Sequence, residues 1–89
     1  MIDFKKYGLD SKDIEFISQV EELCINGQNE VTLDYNGQSF VLEPSGNSIN
    51  VYAHDTDLGH YKNFEDLLLN HKINEKPLIR LIKDLDFGE

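Results

Sequence analysis

Val31-Thr32-Leu33-Asp34-Tyr35-Asn36-Gly37-Gln38-Ser39-Phe40-Val41-Leu42 is the stretch whose reading decides the fold. Val31 to Tyr35 alternates apolar and polar side chains, the period of a strand with one buried face. Asn36-Gly37 follows, the dipeptide best suited to the positive φ angles of a two-residue hairpin turn. A loop of that length sets the register: Tyr35 opposite Gln38, Leu33 opposite Phe40, Val31 opposite Leu42. Pro44-Ser45-Gly46-Asn47 reads as the next loop. With those four residues in the turn, Leu42 falls opposite Ile49, Phe40 opposite Val51, and Gln38 opposite Ala53.

The segment Glu30 to Ala53 is therefore expected to be a three-stranded antiparallel meander. One face collects Val31, Leu42, Ile49, Leu33, Phe40, Val51, Tyr35, Gln38 and Ala53. The other collects Glu30, Glu43, Ser48, Thr32, Val41, Asn50, Asp34, Ser39 and Tyr52. A slip of one residue would mix the two sets.

The flanks read as helices. Asp10 or Ser11 caps a helix running to about Ile25, stopped by Asn26-Gly27. At about 100° per residue, Phe16, Ile17, Val20, Leu23 and Cys24 share one stripe, with Glu15, Ser18 and Glu22 opposite. Residues 1–9 form a lead-in in which Ile2, Phe4 and Tyr7 can pack. His54 to Lys62 reads as a loop. Asn63 caps a short helix with Asp66 three residues on. Pro77 opens a last helix in which Leu78, Leu81, Ile82 and Leu85 form a stripe, and residues 86–89 form a tail. The expected fold is a single α+β domain over residues 1–89: an N-terminal helix, a three-stranded antiparallel β-meander, and two C-terminal helices covering one sheet face. The second sheet face is left to solvent.

Charge is unevenly placed. The 89 residues carry a net charge of −9, and no lysine or arginine occurs between Lys12 and Lys62. Asp13, Glu15, Glu21, Glu22, Glu30, Asp34, Glu43, Asp55 and Asp57 lie in that interval and account for the whole net charge. The remaining eight acids match the eight bases. Direct binding to nucleic acid or to an anionic membrane is disfavoured, because both need a basic surface. One cysteine permits no internal disulfide, and the N-terminus has no apolar run behind its charges. A cytoplasmic protein is expected.

Motifs for chemistry are scarce. His54, Asp55, Asp57 and His60 contain ligand types for zinc, but their spacing matches no metal motif. An EF-hand loop would need glycine where His60 stands. A polar loop, in which the aspartates bond backbone amides and Gly59 turns the chain, explains them better. Cys24 lies on the apolar stripe of the first helix, with no basic neighbour in sequence to activate it. The sequence has no phosphate loop, nucleophile elbow or deaminase pattern. A non-enzyme without a cofactor is expected.

Phe64-Glu65-Asp66-Leu67-Leu68 followed by Ile73-Asn74-Glu75-Lys76-Pro77-Leu78 resembles segments of small uncharacterised bacterial proteins, which carry no function across. In size and charge, without a shared motif, the chain is similar to phage-encoded inhibitors such as anti-CRISPR proteins. It is similar in the same way to nuclease inhibitors and to immunity proteins that neutralise nuclease toxins. That similarity implies a stoichiometric inhibitor that docks an acidic surface on a basic partner protein, such as a nuclease. Glu15, Glu22, Glu30, Asp34, Val41, Glu43 and Tyr52 are the candidate contact residues, with Val41 and Tyr52 as anchors in an acidic rim. One alternative is a self-associating structural or regulatory domain. In it, the first and third strands are taken as free edges, which neither proline nor lysine blocks, and they pair two copies. The other alternative is a metal-binding domain built on His54 to His60.

Overall fold

The computed structural model describes residues 2–88; Met1 and Glu89, the latter part of the expected tail, lie outside the described residues. The order of elements is a 3₁₀ turn at Phe4–Tyr7, α1 (Ser11–Glu21) running into a π-turn at Glu22–Asn26, β1 (Val31–Tyr35), β2 (Gln38–Ser45), β3 (Ser48–Ala53), β4 (Thr56–Tyr61), α2 (Phe64–Asn70), β5 (Lys72–Ile73), β6 (Lys76–Pro77), two 3₁₀ turns at Leu78–Arg80 and Ile82–Asp84, and β7 (Leu85–Phe87). The main sheet is antiparallel with order β4-β3-β2-β1-β7, and β5 and β6 form a separate small hairpin.

The first hairpin has the expected register, with Val31 opposite Leu42, Leu33 opposite Phe40 and Tyr35 opposite Gln38. The second is displaced by two residues: Leu42 stands opposite Val51 and Pro44 opposite Ile49, with Ser45 closing on Ser48. The turn is thus Gly46-Asn47 alone. Gln28 holds it from outside, since its amide nitrogen donates to Gly46 O at 2.8 Å and its amide oxygen accepts from Gly46 N–H at 3.1 Å. Pro44 tolerates its place in a strand because it lies beyond the end of β1, where no partner strand is denied a hydrogen bond. A slip of two preserves which side each residue faces, so the division into an apolar and a polar face survives.

The expected three-stranded meander with two C-terminal helices is not what forms. His54 to Lys62, expected as a loop, supplies β4. His54 and Asp55 take the left-handed backbone (φ 50° and 67°) of a tight hairpin turn. Thr56 to Tyr61 then pairs with β3, interrupted by a bulge that leaves Leu58 without a partner. That bulge is why the strand lacks a clean alternation. The expected last helix is also absent. Leu78, Ile79, Leu81, Ile82 and Leu85 are all buried while Arg80, Lys83 and Asp84 are exposed, and the segment forms two 3₁₀ turns that break at Leu81 instead of one α-helix. It then reaches β1, where β7 pairs Leu85 with Tyr35 and Phe87 with Leu33. The described part of the expected tail is therefore a strand and its exit, and β1 and β3 are interior strands rather than edges.

α1 starts as expected. The Asp10 carboxylate accepts from Asp13 N–H, and the Asp13 carboxylate accepts from Asp10 N–H, each at 3.0 Å. Ile17, Val20 and Cys24 are buried against the sheet. Leu23 departs from its expected place on the stripe and is 45% exposed. The π-turn inserts an extra residue there, and Gly27 N–H reaches back five residues to Glu22 O. α2 is capped by Asn63, whose side chain accepts from Asp66 N–H at 2.7 Å, and it buries Phe64, Leu67 and Leu68. Helices, turns and small hairpin all pack on the face carrying Leu33, Leu42, Ile49 and Val51. The other face of the five-stranded sheet is open.

Candidate functional site

The open face inherits the polar half of every strand. Register places Glu43, Asn50 and His60 in one row across β2, β3 and β4. The next row runs through Asp57, Tyr52, Val41 and Thr32, and a third through Ser39, Asp34 and Asp86. Glu30 precedes β1 at one end, and Asp55 stands in the β3–β4 turn. The five strands contain no lysine or arginine. Their four carboxylates, Asp34, Glu43, Asp57 and Asp86, all take outward positions.

These groups are held rather than loose. His60 Nδ1 meets Asn50 Oδ1, and since an amide oxygen only accepts, Nδ1 carries the hydrogen. Asn50 Nδ2 in turn donates to Glu43 Oε1 at 3.3 Å. The Tyr52 hydroxyl donates to Glu30 Oε2 at 3.0 Å. Ser39 donates its hydroxyl to Asp34 Oδ1. Asp57 accepts from the Gly59 amide at 3.0 Å. The hydrogen bond to Glu30 holds the Tyr52 phenol above its usual pKa, with the charges of Glu43 and Asp55 adding to the effect. Tyr52 thus stands among three carboxylates. Beside it lies a shallow hollow of about 270 Å³ lined by Glu43, Asn50, Val51, Tyr52, Asp55 and Asp57.

Of the candidate contact residues, Glu30, Asp34, Val41, Glu43 and Tyr52 come together on this face. Glu15 and Glu22 do not join them. α1 and the π-turn that follows it lie on the opposite side of the sheet, and Glu15 and Glu22 are exposed there, away from the buried Ile17, Val20 and Cys24, so they belong to the far surface. The supposed single acidic surface is two. Asp57, Asp86, Asp55 and His60 are additions to the face. Asp57 and Asp55 already stood in the basic-free interval, whereas Asp86 needed the pairing of β7 with β1, for which the sequence has no local signal.

His54, Asp55, Asp57 and His60 do not assemble as ligands. Asp57 is engaged by the Gly59 amide and His60 by Asn50, and among the described residues no three His, Cys, Asp or Glu side chains gather around one point. Cys24 is fully buried, and burial pushes its thiol up to about 11. A thiol so placed stays protonated near neutral pH.

Other depressions lie elsewhere on the described residues. A cleft of about 250 Å³ opens at the end of the core under the β5–β6 hairpin, walled by Tyr35, Phe40, Leu58, His71 and Ile73 among others. A flatter hollow lies between α1 and β7, lined by Glu15, Ser18, Gln19, Glu22, Leu23 and Phe87. No helix among the described residues is long and apolar enough to cross a membrane. Comparison of the chain with protein-family models, with curated proteins and with solved structures finds no match.

Proposed function

We propose that the protein is a small non-catalytic binding module, a stoichiometric inhibitor of the anti-CRISPR, nuclease-inhibitor or immunity type. It lays the open face of its sheet on a basic site of a partner protein, one that otherwise holds nucleic acid. The observation that carries this reading is the five-stranded face with outward carboxylates on four strands and no lysine or arginine within them. Outward side chains recur about 6.8 Å apart along a strand and strands lie about 4.8 Å apart. The carboxylates therefore form a two-dimensional array, as a lattice of phosphates does for a basic groove. The hydrogen bonds from Tyr52, Ser39, Asn50 and the Gly59 amide order the array before binding, which lowers the entropy lost on docking. Val41 and Tyr52 supply contact area at its centre.

The test is a paired capture from bacterial lysate with salt-step elution and mass spectrometry. The bait is either the natural chain or a variant carrying Asp34→Lys, Glu43→Lys and Asp57→Lys. A nucleic-acid-handling protein released by moderate salt from the natural chain and absent from the variant is the expected result. The variant's circular dichroism should match the parent. Equal capture by both baits would refute the reading, and a Glu15→Lys, Glu22→Lys bait serves as the control that keeps the partner.

A further inference from the structure

The second acidic surface differs in kind from the open face, because it surrounds exposed apolar groups beside a free strand edge. Phe87 is 44% exposed and Leu23 is 45% exposed, and both line the hollow between α1 and β7. Phe87 is fixed there by the ring of Phe16, with centroids 5.0 Å apart and planes tilted by 57°. Glu15 and Glu22 flank the pair. Among the described residues the ion pairs are those of Lys83 with Asp10 and Asp13, so both glutamates keep their charge uncompensated.

β7 is an outer strand of the sheet. Gly88 N–H donates to Thr32 O at 2.8 Å. Backbone groups of an antiparallel strand turn alternately to either side. Asp86 therefore turns its backbone to β1 and Phe87 turns its own outward. The Leu85 N–H is already spent on Ile82 O. An added strand would meet the N–H and C=O of Phe87 and the C=O of Leu85.

We infer that the edge of β7, with Phe87 and Leu23, is a docking surface for an extended basic segment of a partner protein, added as a sixth strand. Main-chain bonds to Phe87 give the segment its direction. An apolar side chain on one side of it covers Phe87 and Leu23, and lysine or arginine side chains meet Glu15, Glu22 and Asp86. Charge selects this occupant over a second copy of the chain. A second copy brings a net charge of −9 and its own Asp86 to an edge already acidic. The inference shares Asp86 with the open-face reading but rests on Phe87, Leu23, Glu15 and Glu22, which lie on the other side of the sheet.

The probe is a short end-capped peptide repeating Lys-Lys-Val-Val, which puts both kinds of side chain on each face of the added strand, titrated into isotopically labelled protein and followed by amide chemical shifts and hydrogen exchange. The expected result is saturable binding with shifts centred on Leu23, Leu85 and Phe87 and slowed exchange of the Phe87 amide. Leu23→Ser should weaken binding about tenfold. This variant keeps the test clear of misfolding, because Leu23 is half exposed whereas Phe87 supports Phe16. A peptide of equal charge with proline in place of every second valine should not bind, since proline has no N–H to give to the edge. Shifts on Asp34, Glu43 and Tyr52 instead, equal binding of the proline peptide, no saturable binding, or dimerisation of the protein through β7 would each overturn the inference.

Discussion

The Tyr61 hydroxyl lies 2.8 Å from Nδ1 of His71, and the two rings meet edge to face with centroids 5.5 Å apart. This pair joins β4 to the end of α2, and His71 is the one charged or polar residue among the described residues that is buried. Burial pushes the His71 imidazole below its usual 6.5, so the folded state holds it neutral. The unfolded chain takes up a proton near 6.5 and the folded one resists it until lower pH. Stability is thus complete above 6.5 and declines as pH falls from there towards the folded value. A second decline follows in stronger acid. The Lys83 ammonium holds the Asp13 carboxyl below its usual 3.8, and the Lys62 amide does the same for Asp66. Urea midpoints across this range should show both steps, and His71→Phe should remove the first alone. Tyr61→Phe, which leaves Nδ1 unpartnered, should cost about 1–3 kcal/mol at neutral pH.

Cys24 should be silent to thiol reagents. It is fully buried under the π-turn of the first helix, with its thiol raised to about 11. Modification in native buffer should proceed only as fast as the chain opens, and should become immediate above the denaturation midpoint. Rapid labelling of the native protein would show that the π-turn opens locally without global unfolding.

Much of the sheet is legible in the sequence because local chemistry and tertiary packing agree there. Asn36-Gly37 fixes one register, and the alternation from Val31 to Val51 assigns the faces even though the second turn closes two residues away from the expected place. A contact that holds the shifted turn, the Gln28 side chain on the Gly46 backbone, joins positions eighteen apart and leaves no mark on a local reading. β4 is hidden by its own bulge, which removes the alternation that identifies a strand. Leu78 to Leu85 satisfies a helical spacing, but the burial of Ile79 beside that stripe and the break at Leu81 belong to two 3₁₀ turns leading into β7, which spacing alone does not reveal. The open face is therefore legible for Glu30, Asp34, Val41, Glu43 and Tyr52. Glu15 and Glu22 do not belong to it, because sequence shows the charge of an element and not the side of the sheet on which it packs.

Gly59 should be irreplaceable. Its φ of 154° sits at the β4 bulge, and a Cβ there would lie 2.7 Å from the Tyr61 hydroxyl oxygen and 3.0 Å from Cε2 of the same ring. Alanine would meet an unfavourable backbone region and would also push Tyr61 away from His71. Gly59→Ala should lose about 2–4 kcal/mol by denaturant unfolding. The loss should shrink when Tyr61 is already Phe, because the displaced hydroxyl is then gone. Equal losses in both backgrounds would place the whole effect in the backbone.

Asp34 and Asp86 stand directly opposite each other across β1 and β7, both outward on the acidic face. Like charges in that position destabilise a sheet. Ser39 donates to Asp34, but no cation is paired with either aspartate among the described residues. Asp86→Lys converts the repulsion into an attractive cross-strand pair and should raise stability by about 0.2–1 kcal/mol at low salt. Most of the gain should vanish at high salt, where exposed charges are screened. The same variant should bind a basic partner more weakly, since it places an ammonium group within the carboxylate array. A rise in the urea midpoint together with a fall in affinity would show that this face gives up stability for recognition. A rise in stability with unchanged affinity would confine the partner's footprint to β2, β3 and β4, around Tyr52.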